Sequence, residues 1–348
     1  MSWKPHYTIT DKLLVTMREI GEAIGSIKST PITGQALAKL ELEARALSSY
    51  ASTSIEGNPL PLTDVKHLLK TKKEHLRDTE REVLNYNLAL QTLYQSVHNN
   101  TFTLSLTTLE AVQKQVTDTL MENKADSGRL RQAPVVIRNP RKLNEIVFIP
   151  PDAKDVKPLI NALLTFINEQ RGSIDPIILA GLFHRQCVII HPFMDGNGRT
   201  TRLMTTAILG QAGMDFFEIF SFETYYNQNI SRYFKAVGLE GDYYRLESSI
   251  DFTHWLEYFA EGILDELTRV RKVLATKGVA HQRVEPHHQE ILAYIAKHGS
   301  ITQREYGQLS ARSLAARKQD FDHLMALGLL ESKGKGRGTY YIQGDGTV

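Results

Sequence analysis

Apolar residues recur at helical spacing through most of residues 1–120. Apolar positions three and four apart are typical of a helix with one buried face. They predict helices over three segments: Gly34–Tyr50, Thr63–Lys72 and Thr79–His98. In the second segment, Thr63 and Asp64 follow Pro61 and are suitable capping residues. Residues 1–120 are therefore expected to form an N-terminal helical region.

The pattern changes after Gly128, where two short runs rich in β-branched and apolar residues follow each other. The runs are Pro134–Arg138 and Glu145–Ile149, and an Asn-Pro step with a polar turn separates them. Such an arrangement predicts a β-hairpin inside an otherwise helical chain. The double proline Pro150–Pro151 is expected to end it, since proline cannot donate a hydrogen bond to a sheet.

Helical patterns resume after the hairpin and continue to Ala275. One helix is expected to start at Asp175-Pro176, because aspartate caps well and proline suits the first helical position. Its body, IILAGLFHRQCVII, is apolar enough to be buried on most faces. Further helices are predicted over Val156–Gln170, Arg199–Gln211, Tyr226–Gly238 and Phe252–Ala275. The fold class is therefore expected to be mainly α, with residues 121–276 as a helical core that carries the hairpin.

A polar stretch at residues 277–286 (KGVAHQRVEP) predicts a linker to a small C-terminal domain, residues 287–348. Helical runs are predicted at His287–Lys297, Gln303–Leu309 and Ala311–Leu327, followed by a glycine-rich hairpin. Helix, turn, helix and wing is the order of a winged helix-turn-helix domain.

Composition narrows the class of protein only slightly. The chain has 348 residues, 42% of them hydrophobic, and a net charge of +2, which does not argue for nucleic acid or membrane binding. The single cysteine, Cys187, excludes an intramolecular disulfide framework and is expected to be buried packing. No apolar signal-peptide core opens the sequence, so a cytoplasmic location is expected, with secretion as an effector still compatible.

The chemistry is concentrated in twelve residues, HPFMDGNGRTTR, from His191 to Arg202. Glycines at 196 and 198 let backbone N–H groups approach an anion, and the helix that follows directs its positive end to the same place. Arg199 and Arg202 lie three apart on that helix and can bracket further phosphates. Asp195 is a suitable Mg²⁺ ligand, and His191 has the pKa range of a general base.

This segment resembles the Fic family pattern HxFx(D/E)GNGRxxR at every fixed position. The matching residues are His191, Phe193, Asp195, Gly196, Asn197, Gly198, Arg199 and Arg202. The hairpin at Gly128–Pro151 resembles the family's flap, which holds a target protein segment by strand addition. A segment with Tyr225, Asn229 and Tyr233 resembles the family's Tyr-x-x-x-Asn-x-x-x-Tyr, which helps to shape the nucleotide pocket.

The resemblance implies a protein adenylyltransferase that moves AMP from ATP to a Ser, Thr or Tyr hydroxyl. It implies that His191 is the general base, that Asp195 holds Mg²⁺, and that Phe193 anchors the loop. It further implies that the backbone of Gly196–Gly198 and the Asn197 side chain orient the α-phosphate. Arg199 would then contact the α- and β-phosphates, and Arg202 the γ-phosphate.

A second family pattern, (S/T)xxxE(G/N), is matched by Ser52, Glu56 and Gly57. In the family this motif lies on an inhibitory helix, and the resemblance implies a Glu56–Arg202 pair that denies Arg202 to the γ-phosphate. The same carboxylate could orient a water for removal of AMP from a modified protein. We therefore expect an autoinhibited enzyme, with deAMPylation as a further capacity.

Alternatives remain open at this stage. Cations in the C-terminal domain offer a phosphate-binding surface: Arg312, Arg317 and Lys318 on the predicted recognition helix, and Lys333, Lys335 and Arg337 on the wing. A DNA-binding regulator that modifies itself, a domain for protein association or homodimerisation, and a transferase for UMP are therefore also compatible. The remaining histidines predict no zinc site: His184 is expected in the core and His287-His288 at a solvated helix start.

Overall fold

The computed structural model describes residues 3–30, 34–71, 73, 75–139, 142–214, 217–279, 286–326, 328–334 and 336–344. It divides the chain into two compact units. The first comprises Met1–Ser26 and Leu40–Val270, and the second comprises Ile27–Lys39 and Arg271–Val348. Among the described residues, no helix is both long and apolar enough to cross a membrane.

The N-terminal region is helical, as the apolar spacing predicts. Its helices are α1 (Asp11–Lys28), α2 (Gly34–Ile55), α3 (Leu62–Leu68), α4 (Asp78–His98) and α5 (Leu106–Val116). Helix α2 continues past the predicted end at Tyr50 because Ala51, Ser52 and Thr53 are buried, and this packing outweighs the weak helix propensity of the segment. Helix α3 has Pro61 as its N-cap without a side-chain cap, so the expected capping by Thr63 and Asp64 is wrong.

The predicted hairpin is present and belongs to a three-stranded sheet. Strands β1 (Ile137–Asn139) and β2 (Lys142–Ile149) are antiparallel, with Ile137 opposite Phe148. A short strand β3 (Gly241–Asp242) runs parallel to β2, which places β1 at the outer edge of the sheet. The periodicity of the hairpin gives no sign of this third strand, because it is only two residues long.

The centre of the first unit is built from α6 (Ala153–Glu169), α7 (Pro176–Ile190) and α8 (Asn197–Gln211). Helix α7 packs against both α6 and α8, while α4 and α5 also pack on α8. Nearly every side chain of α7 is buried, as expected for a helix that is apolar all round. The segment between α7 and α8 holds the histidine–glycine motif, so the motif is framed by two buried helices.

The unit is completed by α9 (Glu223–Gln228), α10 (Ile230–Val237), α11 (Tyr243–Leu246) and α12 (Thr253–Val279). The single helix predicted over Tyr226–Gly238 is wrong, because the chain leaves the helical region at Asn229. The Asn229 side chain accepts a hydrogen bond from the backbone N–H of Arg232 and caps α10. Asparagine favours this capping role over a place inside a helix.

The predicted linker at residues 277–286 overlaps the last turn of α12, so its expected start is wrong. Helix α12 continues to Val279, and residues 280–285 lie outside the described part of the chain.

The second unit contains α13 (Pro286–His298), α14 (Gln303–Leu309) and α15 (Leu314–Ala326). Its strands β4 (Ile301–Thr302), β5 (Leu330–Lys333) and β6 (Tyr340–Gln343) form an antiparallel sheet in the order β4-β6-β5. The core side chains are Ile291, Ile295, Ile301, Tyr306, Phe321, Leu324 and Leu330. The helices and the β5–β6 hairpin follow the predicted order, while the winged-helix assignment stays a prediction.

The basic residues of this unit are placed differently from the sequence expectation. Arg312 is not on the third helix, because that helix begins at Leu314; its guanidinium is instead 2.8 Å from the buried carboxylate of Asp320. Arg317 donates to a backbone carbonyl of α14, while Lys318 is exposed.

On the hairpin, Lys333 pairs with the glutamate two residues earlier, at 2.6 Å. Lys335 and the side chain of Arg337 lie outside the described residues. DNA binding by residues 287–348 therefore stays a prediction. Arg312 and Lys333 each pair with a carboxylate of the same unit, so fewer cations are available to bind DNA than the sequence implies.

Candidate active site

His191 lies at the C-terminal end of α7, where the helix stops. Asp175 caps the start of this helix by accepting from the backbone N–H of Ile177, with Pro176 at its first position, as predicted. At the other end, His191 adopts a left-handed conformation with φ 51° and ψ 64°. Since a residue other than glycine rarely adopts this conformation, the surrounding contacts must hold it there.

The ring of His191 is oriented for proton abstraction. Its Nδ1 lies 3.4 Å from the carbonyl oxygen of Val188. A carbonyl oxygen can only accept, so the contact places a proton on Nδ1, and in the neutral ring Nε2 is then the basic nitrogen. Burial lowers the pKa of His191 to about 4, so the ring is neutral at pH 7.

The loop after His191 is fixed by its own backbone. Gly196 has a φ of +77°, and a Cβ there would meet the side chain of Thr117. The Asn197 side chain bonds both backbone groups of Phe193, accepting from its N–H and donating to its carbonyl, each at 2.8 Å. Phe193 itself is fully buried. In this arrangement the Asn197 side chain holds the loop, while the backbone N–H groups at the start of α8 face outward to an anion.

The two arginines of α8 have separate partners. Arg199 is buried and lies between two carboxylates, 2.7 Å from Glu82 and 3.1 Å from Asp195. The Asp195 side chain is 56% exposed, so the Asp195 end of this Glu82–Arg199–Asp195 network faces solvent.

Arg202 is held by the end of α2. Its Nε donates to the Ser52 hydroxyl at 2.7 Å, and its Nη2 donates to the Ser52 carbonyl and to Glu56 Oε1 at 2.9 and 2.6 Å. Although burial disfavours its charged form, Glu56 raises the pKa of Arg202 above its ordinary value. A Cβ at Gly198 would collide with the Glu56 carboxylate, which therefore lies over the first turn of α8. Gly57, with a φ of +96°, turns the chain immediately after α2.

The chain matches known proteins in the region of this motif. The model of the Fic/DOC family matches residues 103–209, which include α5, α6, α7, most of α8 and the whole motif. Residues 103–209 are therefore similar to a Fic/DOC domain.

Curated relatives named protein adenylyltransferase Fic resemble the chain in part. The one from Drosophila grimshawi is 28% identical over 210 residues, which are 59% of this chain and 41% of that protein. The one from Aedes aegypti is 27% identical over 192 residues, 54% of this chain and 36% of that protein. The chain therefore spans well under half the length of the curated relatives that it matches.

Solved structures show that the fold is shared. A Fic family protein from Desulfovibrio desulfuricans G20 superimposes with a TM-score of 0.65 at 23% identity, covering 99% of this chain and 100% of that one. Fic-1 from C. elegans gives 0.60 at 20% identity, covering 76% of this chain and 73% of that one.

Behind the Fic motif lies a buried carboxylate that the sequence did not reveal. Glu223 accepts from the Tyr86 hydroxyl at 2.8 Å and from the Ser48 hydroxyl at 3.1 Å. Burial raises the pKa of Glu223, and the nearby charge of Arg202 opposes this shift. No motif marks these residues, because they come from three separate helices or helix ends.

Arg131 is a second residue near the motif that sequence reasoning missed. It is 1% exposed and donates from Nε to the backbone carbonyl of His191 at 2.8 Å. Its other nitrogens donate to the carbonyls of Ala133 and Pro151, at the two ends of the hairpin. Burial lowers the pKa of Arg131. Arg131 thus ties the strained backbone of His191 to the base of the flap.

The three residues expected to shape the nucleotide pocket lie in different surroundings. Tyr233 is buried, stacks on Tyr226 at 4.5 Å and has its hydroxyl 3.1 Å from His184 Nε2. Tyr225 receives a hydrogen bond from Arg232, and Asn229 caps α10. His184 is a core residue, as expected, and burial lowers its pKa well below the ordinary value.

Proposed function

We propose that the chain is a protein adenylyltransferase that transfers AMP from ATP to a Ser, Thr or Tyr hydroxyl of a target protein. The observation that carries the proposal is the position of His191, a neutral base at the C-terminal end of α7 and six residues before the first residue of α8. A phosphate chain bound at the N-terminus of α8 would meet both a base and two arginines. The name of the curated relatives supports the same activity.

The reaction follows from this geometry. The target hydroxyl gives its proton to Nε2 of His191 while its oxygen attacks the α-phosphorus of ATP. A new oxygen–phosphorus bond forms, the bond between the α-phosphorus and the bridging oxygen breaks, and pyrophosphate leaves. Backbone N–H groups of Gly196–Gly198 and the guanidinium of Arg199 would stabilise the developing negative charge. Positioning and electrostatics thus account for the catalysis, without a covalent enzyme intermediate.

The residues present fit a magnesium ion that is shared with the phosphates. Asp195 is more than half exposed next to the proposed phosphate site, and Mg²⁺ usually combines one or two carboxylates with substrate oxygens and water. When bound, the ion would neutralise phosphate charge. Asp195 would have to give up part of its contact with Arg199, which then becomes available to the phosphates.

We further propose that Glu56 restrains the enzyme. Its carboxylate occupies Arg202 and lies over the first turn of α8, where a γ-phosphate would otherwise bind. Because like charges repel, the two anions cannot share this position, and ATP is excluded from the productive pose. The same carboxylate could activate a water to remove AMP from a modified protein, so deAMPylation belongs to the proposal.

The target segment is proposed to add to the outer edge of the flap at β1. Val136 and Ile146 are exposed apolar residues of this hairpin, and β1 is an edge strand of the described sheet, the position at which an extended peptide can add through main-chain hydrogen bonds. The cytoplasm is the proposed location.

The test is mass spectrometry of the Glu56→Gly protein incubated with Mg²⁺ and each nucleoside triphosphate, alone and with cell lysate. A mass increase of one AMP on the protein or on a lysate protein, larger than with the unaltered chain, is expected. The Glu22→Gly variant is the control, because Glu22 forms an exposed pair with Arg18. Transfer of UMP or of no nucleotide in the Glu56→Gly sample would contradict the proposal.

A further inference from the structure

Three potential metal ligands converge in the second unit. His287 and His288 lie in the first turn of α13, and Asp320 lies on α15. Their ligating atoms all lie within 4.8 Å of one another. His288 and Asp320 are buried, so the expectation of a solvated helix start at His287-His288 is wrong.

The two distances from Asp320 to the histidines match a tetrahedral site. Asp320 Oδ1 is 3.3 Å from Nε2 of His287 and 3.4 Å from Nε2 of His288. Zinc binds histidine nitrogen and carboxylate oxygen at about 2.0–2.2 Å, which puts neighbouring ligands about 3.4 Å apart. Two of the three distances between the ligating atoms therefore already have the length that a bound zinc ion requires.

The carboxylate is held in place by neighbouring groups. Asp320 Oδ2 accepts from the Tyr306 hydroxyl and from Arg312 Nε, both at 2.8 Å. The neutral Tyr306 hydroxyl can orient a ligating carboxylate, whereas the charge of Arg312 would compete with a metal ion for it. Arg312 Nη2 also reaches Oδ1, at 3.1 Å. This arginine is 37% exposed and can turn toward solvent when a cation takes its place.

We propose that His287, His288 and Asp320 bind a divalent transition metal of the zinc class, with water at the fourth position. Two imidazoles and one carboxylate suit Zn²⁺ or Co²⁺, whereas Mg²⁺ and Ca²⁺ prefer oxygen ligands alone. The metal links the start of α13 to the middle of α15, two elements of the same unit. Its role is to stabilise this unit, independently of the reaction at His191.

The test uses the full chain, stripped of metal with a chelator and then dialysed against Zn²⁺. We expect one zinc ion per chain to be bound in the unaltered protein and its affinity to fall at least about tenfold in His287→Asn. His287 is chosen because its side chain is 24% exposed, so its replacement is tolerated by the core. The control is His298→Asn, at the other end of α13, which should bind zinc like the unaltered chain.

Co²⁺ provides a second readout that does not depend on affinity alone. Tetrahedral Co²⁺ absorbs visible light strongly, and this absorption should appear in the unaltered chain and in His298→Asn but not in His287→Asn. Zinc binding of the same strength in His287→Asn would show that the metal is held elsewhere and would overturn the proposal. Absence of zinc binding by the folded, unaltered chain would overturn it as well.

Discussion

Two arginine–carboxylate pairs, one in each unit, have opposite exposure. In the candidate active site, Arg202 is 1% exposed and Glu56 is 32% exposed. In the second unit, the carboxylate of Asp320 is 4% exposed and Arg312 is 37% exposed. Both contacts are short, at 2.6 and 2.8 Å.

The difference teaches which ligand each pair can accept. A buried charge needs a partner, because leaving it alone in the interior is costly. The exposed partner, however, can be exchanged for a ligand of the same sign. On the proposed function, Arg202 exchanges Glu56 for a phosphate, and at the proposed metal site Asp320 exchanges Arg312 for a divalent cation.

The largest effect is expected for replacement of His191, which tests whether the activity restrained by the Glu56–Arg202 pair depends on this histidine. In the Glu56→Gly background, His191→Ala should lower AMP transfer by about 10²–10⁴-fold, since it removes the general base. The rate is measured by incorporation of labelled ATP. Undiminished labelling would show that the activity released by Glu56→Gly does not come from this site.

The pH profile tests the same histidine without replacing it. Because burial lowers the pKa of His191 to about 4, the base stays unprotonated down to that pH, and the acid limb of kcat/KM should lie near pH 4. At pH 5 about 90% of the base would be active, against about 3% for an ordinary pKa of 6.5. The measurement uses the Glu56→Gly protein. An acid limb near pH 6.5 would contradict the environment described for His191.

A smaller effect is expected when the charge of Glu56 is removed, which tests whether Glu56 and ATP compete for Arg202. Glu56→Gln keeps the size of the side chain but removes its charge, and should raise the affinity for ATP about tenfold. Calorimetric titration with ATP measures this change. The matched control is Glu22→Gln, which removes the carboxylate of a solvent-exposed arginine pair and should leave the affinity unchanged.

The smallest effect concerns the cation at Asp320 and depends on the proposed zinc site. Arg312→Gln removes a competing positive charge and should raise the affinity for Zn²⁺ about threefold, a modest change because Arg312 is partly exposed. Arg304→Gln, an exposed arginine on α14, is the control. A weaker affinity in Arg312→Gln would show that Arg312 supports the site instead of competing for it.

Local patterns predicted much of the fold and of the motif. The start of α7 at Asp175-Pro176 depends on nearest neighbours alone, and the glycine loop at residues 196–198 lies within one contiguous motif. Sequence reasoning was less reliable where distant groups decide the structure. Helix α2 continues past Tyr50 because of tertiary packing, and Arg131 and Glu223 acquire their roles only through partners far along the chain.

The metal ligands are a further example of this limit. His287 and His288 are adjacent in sequence, but Asp320 follows more than thirty residues later, so no local spacing marks the set. The pair Glu56–Arg202 was predicted despite a separation of 146 residues, because each partner lies in its own motif. Long-range contacts are thus predictable when both ends carry a pattern.

The attachment of Glu56 to the same chain has a quantitative consequence. A group tethered beside its site acts at an effective concentration in the millimolar range, whatever the concentration of the protein. If Glu56 inhibits as proposed, dilution cannot relieve the inhibition, and a free peptide with the α2 sequence would have to be millimolar to replace a deleted helix. A binding partner that moves the end of α2 away from Arg202 would abolish this high effective concentration of Glu56. A low concentration of such a partner would then be enough, provided that its own affinity is high.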